Sequence, residues 1–399
     1  MAETSRPSAD RPVSNHSYGI PSMTELSSQA VDTRTSNRDL NHIQERLTAW
    51  LGRALGAGAD PVITELRNPG KTGMSSETLL FDLEWRQDGS VRTGSYVARL
   101  PPPDDAFPIF SQYDFDRQVG VMRLVRKYSQ VPVPEVLWYE PAADALGVPF
   151  FIMEMVTGEA ASDNPPYVFG GWLHDARPED QARMQEQTIA AIAGVHGIRA
   201  PAEETAFLLA PHPGATPLRR HFAGERAYYD WGRSGRHFPL VEKLFAWIEA
   251  HWPEDEGETV ICWGDSRVGN MLWREFSPTA VLDWEMATLG PRELDVAWTI
   301  LLHKYFQGIA ALVGFPSAPM PHFMRYADVV ASYERVSGQK LKNMDFYLAY
   351  GLLRMALVDI RITQRRIKFG EAQEPGDPDL YLMCRPLVEA VLAGNDPWN

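Results

Sequence analysis

The chain predicts an α+β fold in two lobes: a small N-terminal lobe built on an antiparallel sheet and a larger, mainly helical C-terminal lobe. Three observations predict it. Residues 61 to 156 read as short apolar runs parted by turn residues, with Gln87-Asp-Gly-Ser as a hairpin signal. From about residue 157, apolar residues recur at helical spacing over long stretches. Within that helical half, two short apolar runs each end in acidic or amide residues. The expected division is residues 1–37 as a disordered or loosely packed leader, 38–156 as the N-lobe and 157–399 as the C-lobe.

Taken in order, the leader is rich in Ser, Thr, Pro and Asn with little apolar periodicity, the composition of a segment without a core. Leu40, Ile43, Leu47, Trp50, Leu51 and Leu55 then recur at helical spacing behind Asn37 and Asp39, residue types suited to an N-terminal cap. Strands are expected at Val62 to Leu66, Thr78 to Trp85, Gly94 to Leu100, Val136 to Tyr139 and Phe150 to Met155, with a helix from about Gln112 to Lys127. In the C-lobe, helices are expected at Glu179 to Ile198, Leu240 to His251, Leu294 to Tyr305, Phe323 to Val336 and Phe346 to Phe369.

Composition narrows the function. A chain of 399 residues with 44% hydrophobic residues can bury one large core or two lobes. Its formal net charge of −14 and the lack of a basic arm argue against nucleic acid or an anionic membrane as partner. Two cysteines, Cys262 and Cys384, make no disulfide framework, and no run long enough to span a membrane or basic-then-apolar signal occurs. A cytoplasmic protein is expected, with its oligomeric state unreadable.

The chemistry lies in Val260-Ile-Cys-Trp-Gly-Asp-Ser-Arg-Val-Gly-Asn-Met-Leu-Trp and Ala280-Val-Leu-Asp-Trp-Glu. Phosphoryl transfer needs a carboxylate to accept a hydroxyl proton and oxygen ligands for Mg²⁺, and Asp265, Asn270 and Asp283 supply both. Five residues from Asp265 to Asn270 suit one tight loop, the spacing of the HRDxxxxN pattern. A hairpin turning through Trp273 to Thr279 would return Asp283 to Asn270. Singly, each is more often a turn or cap residue; their joint spacing points to a nucleotide-phosphate site.

These residues, with Leu282-Asp-Trp-Glu-Met-Ala-Thr-Leu-Gly-Pro, resemble the aminoglycoside phosphotransferase and choline kinase-like family, in particular the branch fused to some acyl-CoA dehydrogenases. The resemblance implies a bilobal protein-kinase-like fold and Mg²⁺-dependent transfer from ATP to a small-molecule hydroxyl. Asp265 would then be the catalytic base, and Asn270 and Asp283 the metal ligands. Trp263 stands where the family usually has His.

The N-lobe would supply the nucleotide contacts. Pro69-Gly-Lys-Thr-Gly-Met-Ser-Ser-Glu-Thr is neither a Walker A sequence nor a full GxGxxG, and alone it fits a surface hairpin. Beside the downstream motif, Gly73, Ser75, Ser76 and Thr78 are expected near phosphates. Arg99, ending Tyr96-Val-Ala-Arg, resembles the strand lysine that pairs with phosphates, and Gln118 is the expected partner in place of an acid. Glu154 and Met155 would present backbone groups to adenine at the hinge. Asp295 reads as a brace beneath the catalytic loop, and Glu285 as either a helper at the metal or a buried hydrogen-bonding group. The basic clusters Arg219, Arg220, Arg226, Arg361, Arg365, Arg366 and Lys368 suit an anionic acceptor such as a hydroxyacyl-CoA, whereas Glu371, Glu374, Asp377 and Asp379 suit a polycationic aminoglycoside; charge alone decides neither. A nucleotide-binding regulatory protein with weakened catalysis is the alternative.

Overall fold

The computed structural model describes residues 38–69 and 75–398. The leader expected at 1–37 and Gly73 lie outside the described residues.

Helix α1 (Leu40–Leu55) begins where Asp39 caps it, its carboxylate accepting the N–H of Asn41 at 2.9 Å. Behind it stands a five-stranded antiparallel sheet of β1 (Val62–Arg67), β2 (Glu77–Gln87), β3 (Ser90–Leu100), β4 (Val136–Glu140) and β5 (Phe150–Glu154). The spatial order is β1-β2-β3-β5-β4. Along β2 the side chains of Leu79, Phe81 and Leu83 are buried in alternation, the period-two pattern that sets register in a half-buried strand. They join Ile43, Leu47, Trp50 and Leu51 of α1 in a core on one side of the sheet. Helix α2 (Phe115–Tyr128) belongs to a different cluster: its Phe115, Val119 and Met122 pack with Val97 and Phe151 and are continuous with the core of the helical region. One apolar core therefore runs from the sheet into the helices.

The helical region contains α3 (Pro178–His196), α4 (Pro217–Gly232), α5 (Pro239–Ala250), α6 (Glu293–Leu312), α7 (Tyr326–Ser337), α8 (Met344–Lys368) and α9 (Arg385–Leu392). Helices α4 and α9 are additions to the sequence reading. Helix α4 starts at a Thr216 cap followed by Pro217, a start signal that its mixed polar and aromatic face conceals. Helix α6 is buried on nearly all sides, which explains why its periodicity is weak although it lies under the site.

Two small sheets place the polar residues. Strands β7 (Thr259–Cys262) and β10 (Thr288–Pro291) pair antiparallel, Cys262 opposite Thr288. Strands β8 (Met271–Arg274) and β9 (Ser277–Val281) form a hairpin, and β6 (Glu159–Ala160) joins its edge. Its loop is only Glu275-Phe276, both at positive φ, a primed turn tighter than the turn expected through Trp273 to Thr279. Among the described residues, no helix is long and apolar enough to cross a membrane.

Candidate active site

The site is assembled by chain reversals at β7, β8 and β9. After β7 the chain turns at Gly264, whose φ of +92° and position against Met286 permit no side chain: a Cβ there would lie 2.0 Å from the Met286 carbonyl oxygen. Asp265 follows, then a 3₁₀ turn at Val268–Asn270 leads into β8. The hairpin brings the chain back, Met271 opposite Val281, and the Leu282 N–H donates to the Asn270 carbonyl at 2.8 Å. Asp283 thus leaves β9 beside Asn270, in the left-handed region at φ +60°.

Asp265 is held from three sides. Trp298 Nε1–H donates to its Oδ1 at 2.6 Å, Arg267 Nε–H lies 3.1 Å from both oxygens, and Asn270 Nδ2–H donates to Oδ2 at 2.6 Å. Burial alone would raise its carboxyl, but the Arg267 charge and these hydrogen bonds outweigh that and hold it below the ordinary carboxylate range. Arg267 also pairs with Asp163. Neither Arg267 nor Trp298 was singled out from sequence. Arg267 is visible in the loop motif, and Trp298 lies one helical turn past Asp295, but nothing local says that either side chain reaches Asp265.

Beneath the loop, Asp295 is the brace that the sequence suggested. Fully buried, its carboxylate accepts Trp263 N–H at 2.7 Å, Gly264 N–H at 2.8 Å and His196 Nε2–H at 3.0 Å. Trp263 does for Asp283 what Asp295 does for the loop. Its indole N–H donates to the carbonyls of Leu282 at 2.8 Å and Asp283 at 3.2 Å, so the aromatic side chain ties the two polar segments together. His196, Cys262 and Asp295 bring ligand-type atoms within 4.8 Å of one another. All are already used, since His196 Nδ1 meets the Tyr333 hydroxyl and the Cys262 thiol donates to the carbonyls of Gly290 and Pro291. This cluster is a hydrogen-bonded core network.

The residues present fit a divalent cation at Asp283. Its Oδ1 is buried and has no hydrogen-bond partner among the described residues, a costly state for a carboxylate oxygen unless a ligand completes it. Burial raises the Asp283 carboxyl, offset in part by Arg99, and the nearby Asp265 raises it further. Glu285 is pushed up to about 8 by burial and then by Asp283. Two carboxyls crowded in one buried place are both shifted toward their protonated forms, a shift that a bound cation would oppose. Asn270, whose amide nitrogen is committed to Asp265, keeps its carbonyl oxygen as a ligand atom.

On the N-lobe side, the Ser75 hydroxyl donates to Glu285, joining the loop before β2 to the segment after β9. Ser76 is buried with its hydroxyl unpartnered. Arg99 donates to the Thr78 hydroxyl across the β2–β3 ladder at 3.1 Å. The expected Arg99–Gln118 bond is not formed: Gln118 is buried with Nε2 unpartnered, and a neutral amide offers no charge to draw the guanidinium from its strand. At the hinge, Glu154 N–H donates to the Glu135 carbonyl and Met155 N–H to that of Ser95. Both donors are thereby engaged, so a base donor would come from the residues just after Met155.

Comparison with known proteins bears on the fold and the family. Arabidopsis thaliana IBR3, described as a probable acyl-CoA dehydrogenase, is 27% identical over 80% of this chain and 39% of its own length. Human acyl-CoA dehydrogenase family member 11 is 22% identical over 87% of this chain and 42% of its own. The chain spans about two fifths of the length of these relatives. Among solved structures, a Ralstonia eutropha protein provisionally described as an aminoglycoside phosphotransferase superposes with a TM-score of 0.58 at 23% identity, covering 88% of this chain and 97% of that one. Aminoglycoside 2'-phosphotransferase-IIIa, in its GDP complex, gives 0.52 at 12% identity, covering 90% and 100%. Both likenesses establish the α+β, protein-kinase-like fold. The profile of the family described as Phosphotransferase enzyme family matches residues 81–318, more than half of the sequence, and the chain belongs to that family.

Proposed function

We propose that the chain transfers the γ-phosphate of ATP directly to a hydroxyl of a small metabolite, without a covalent enzyme intermediate. The observation that carries this is the convergence of Asp265, Asn270 and Asp283, with a buried Asp283 oxygen that has no partner. Asp265 orients the acceptor hydroxyl and accepts its proton. Held as a carboxylate, it is a weak base, which suits a loose phosphoryl-transfer transition state where the nucleophile needs little activation. Mg²⁺, held by Asn270 and Asp283, would neutralise charge on the transferring group. Arg99 and the segment around Ser75 are assigned to the remaining phosphates, and the groups around Glu154 and Met155 to the base.

A hydroxyacyl-CoA is favoured over an antibiotic as acceptor. The support is the similarity to acyl-CoA dehydrogenase family members and the environment of the charged clusters. Glu374 and Asp377 of the acidic group are already paired, with Arg236 and Arg385, and are less available to a polycation.

The test is a mass-spectrometric screen with Mg-ATP against hydroxylated metabolites, aminoglycosides and hydroxyacyl-CoA esters, with Asp265→Ala as control. A phosphoryl mass gain present with the natural chain and absent in the control supports transfer. Saturable ATP binding with no acceptor labelled would favour a regulatory nucleotide-binding protein.

A further inference from the structure

Helix α8 buries two arginines whose charges no contacting acid among the described residues neutralises, Glu371 acting on Arg365 only from beyond ion-pair distance. Arg361 and Arg365 are each 5% exposed and lie four residues apart, on one face of the helix. Neither forms an ion pair with any described residue. Arg361 is clamped between the rings of Phe107 and Trp231, its guanidinium carbon 4.1 Å from each centroid. It donates to the Pro108 carbonyl at 2.6 Å and to Gln364 Oε1 at 2.9 Å, leaving Nε buried without a partner. Gln364, itself 6% exposed, likewise leaves Nε2 unpartnered. The Arg365 guanidinium rests against Phe369, 5.4 Å from the ring centroid, with no hydrogen-bond acceptor among the described residues.

Burying a cation without a counter-charge is expensive, and unmade donors beside it add to the cost. A helix face that carries two such cations and two idle donors is complementary to an anion. Just outside it, Lys368 adds an exposed positive charge, 5.2 Å from the Phe107 centroid, and Trp231 is 38% exposed. One residue couples electrostatically to both the patch and the reaction site. Tyr113 lies within electrostatic reach of both Arg361 and Arg365 on one side, and of Glu285 and Ser75 on the other.

We propose that Arg361 and Arg365, with Gln364, bind an anionic group of the acceptor, a carboxylate or a phosphate ester, while Phe107 and Trp231 cover its adjoining apolar or planar part. This deepens the phosphotransferase reading and rests on it. The basic patch on α8 then selects anionic hydroxy compounds and rejects polycationic ones.

Calorimetric titration of the full chain, with Mg-AMP-PNP saturating the nucleotide cleft, tests it using four probes: coenzyme A, dephospho-coenzyme A, pantetheine and free hydroxybutyrate. At least one anionic probe is expected to bind, and pantetheine is not. Binding of hydroxybutyrate identifies a carboxylate as the recognised group; binding of coenzyme A but not hydroxybutyrate identifies its phosphates, and loss with dephospho-coenzyme A narrows that to the 3′-phosphate. Arg365→Gln is expected to weaken the anionic probe by about tenfold or more, the cost of a charge-assisted contact, with Mg-AMP-PNP affinity unchanged. Arg361→Lys, which keeps the charge but loses the planar fork, should weaken it less. Arg365→Leu without ligand should melt at the same or a higher temperature, because an unpaired buried charge is removed; a lower melting temperature would mark a structural role and overturn the proposal. Wild-type protein that binds no anionic probe, or Arg365→Gln that binds unchanged, overturns it too. Failure to bind Mg-AMP-PNP would instead sink the phosphotransferase reading, whereas phosphorylation of a neutral acceptor without anion binding would leave that reading standing and this one refuted.

Discussion

Asp295 gives the sharpest test of how the site is held, because it touches no reacting atom. Its Oδ2 accepts Trp263 N–H and His196 Nε2–H, and its Oδ1 accepts Gly264 N–H, all in a fully buried place. In Asp295→Asn, one oxygen can keep two of these bonds without charge assistance. The new amide nitrogen then faces the Gly264 N–H, donor against donor. One orphaned backbone donor costs about 1–3 kcal/mol, an unsatisfied amide about as much, and loss of charge from the two remaining bonds about 1 kcal/mol. The sum is about 3–7 kcal/mol. Because Gly264 precedes Asp265, the same change loosens the base, so kcat should fall more than the KM for ATP rises. Denaturant unfolding followed by tryptophan fluorescence gives the first quantity and steady-state kinetics the second. A variant within 1 kcal/mol of the natural chain at unchanged kcat would refute the brace.

Other substitutions separate the parts. Gly264→Ala places a Cβ against the Met286 carbonyl at positive φ, so it should cost more than about 3 kcal/mol and abolish transfer; near-normal thermal melting would contradict that backbone geometry. Trp263→Phe removes the indole N–H from the Leu282 and Asp283 carbonyls, and should weaken Mg²⁺ activation while leaving nucleotide affinity without metal unchanged in an equilibrium titration. Arg99→Met should raise the KM for ATP by about tenfold or more with a smaller effect on kcat; an unchanged KM would remove Arg99 from phosphate binding. Glu285, with a carboxyl raised from the usual 4.5 to about 8, should stabilise the metal-free fold least at high pH: its contribution is present below pH 4.5 and is lost as pH climbs toward 8. Mg²⁺ must displace that proton, so its stabilising effect should grow between about pH 6 and 8, and Glu285→Gln should flatten the trend in thermal melts.

The elements legible in the sequence are those whose signals are local. The cap at Asp39, the alternation along β2 and the Gln87-Asp-Gly-Ser turn each act within a few residues, and the structure places elements there. Helix α4 shows no clear period because only Leu218, Phe222, Tyr229 and Gly232 are buried in it, amid arginines that pack along aromatic rings, as Arg226 does against Phe245. The β7–β10 ribbon is short, and neither strand has enough residues to show a period.

The site divides along the same line, and the division says where mutations will surprise. Asp265, Asn270 and Asp283 stand out because one loop and one hairpin set their spacing, so their chemistry is written within about twenty residues. What tunes them comes from far away in the chain: Asp163 pairs with Arg267 across 104 residues, His196 meets Asp295 across 99, and Ser75 reaches Glu285 across 210. No local pattern encodes such contacts, since each exists only once the core has brought α3, α6 and the sheet together. The raised carboxyls of Asp283 and Glu285 are therefore a property of the assembled fold. A perturbation that only separates the lobes should lower both carboxyls toward ordinary values by letting water in, without touching either residue.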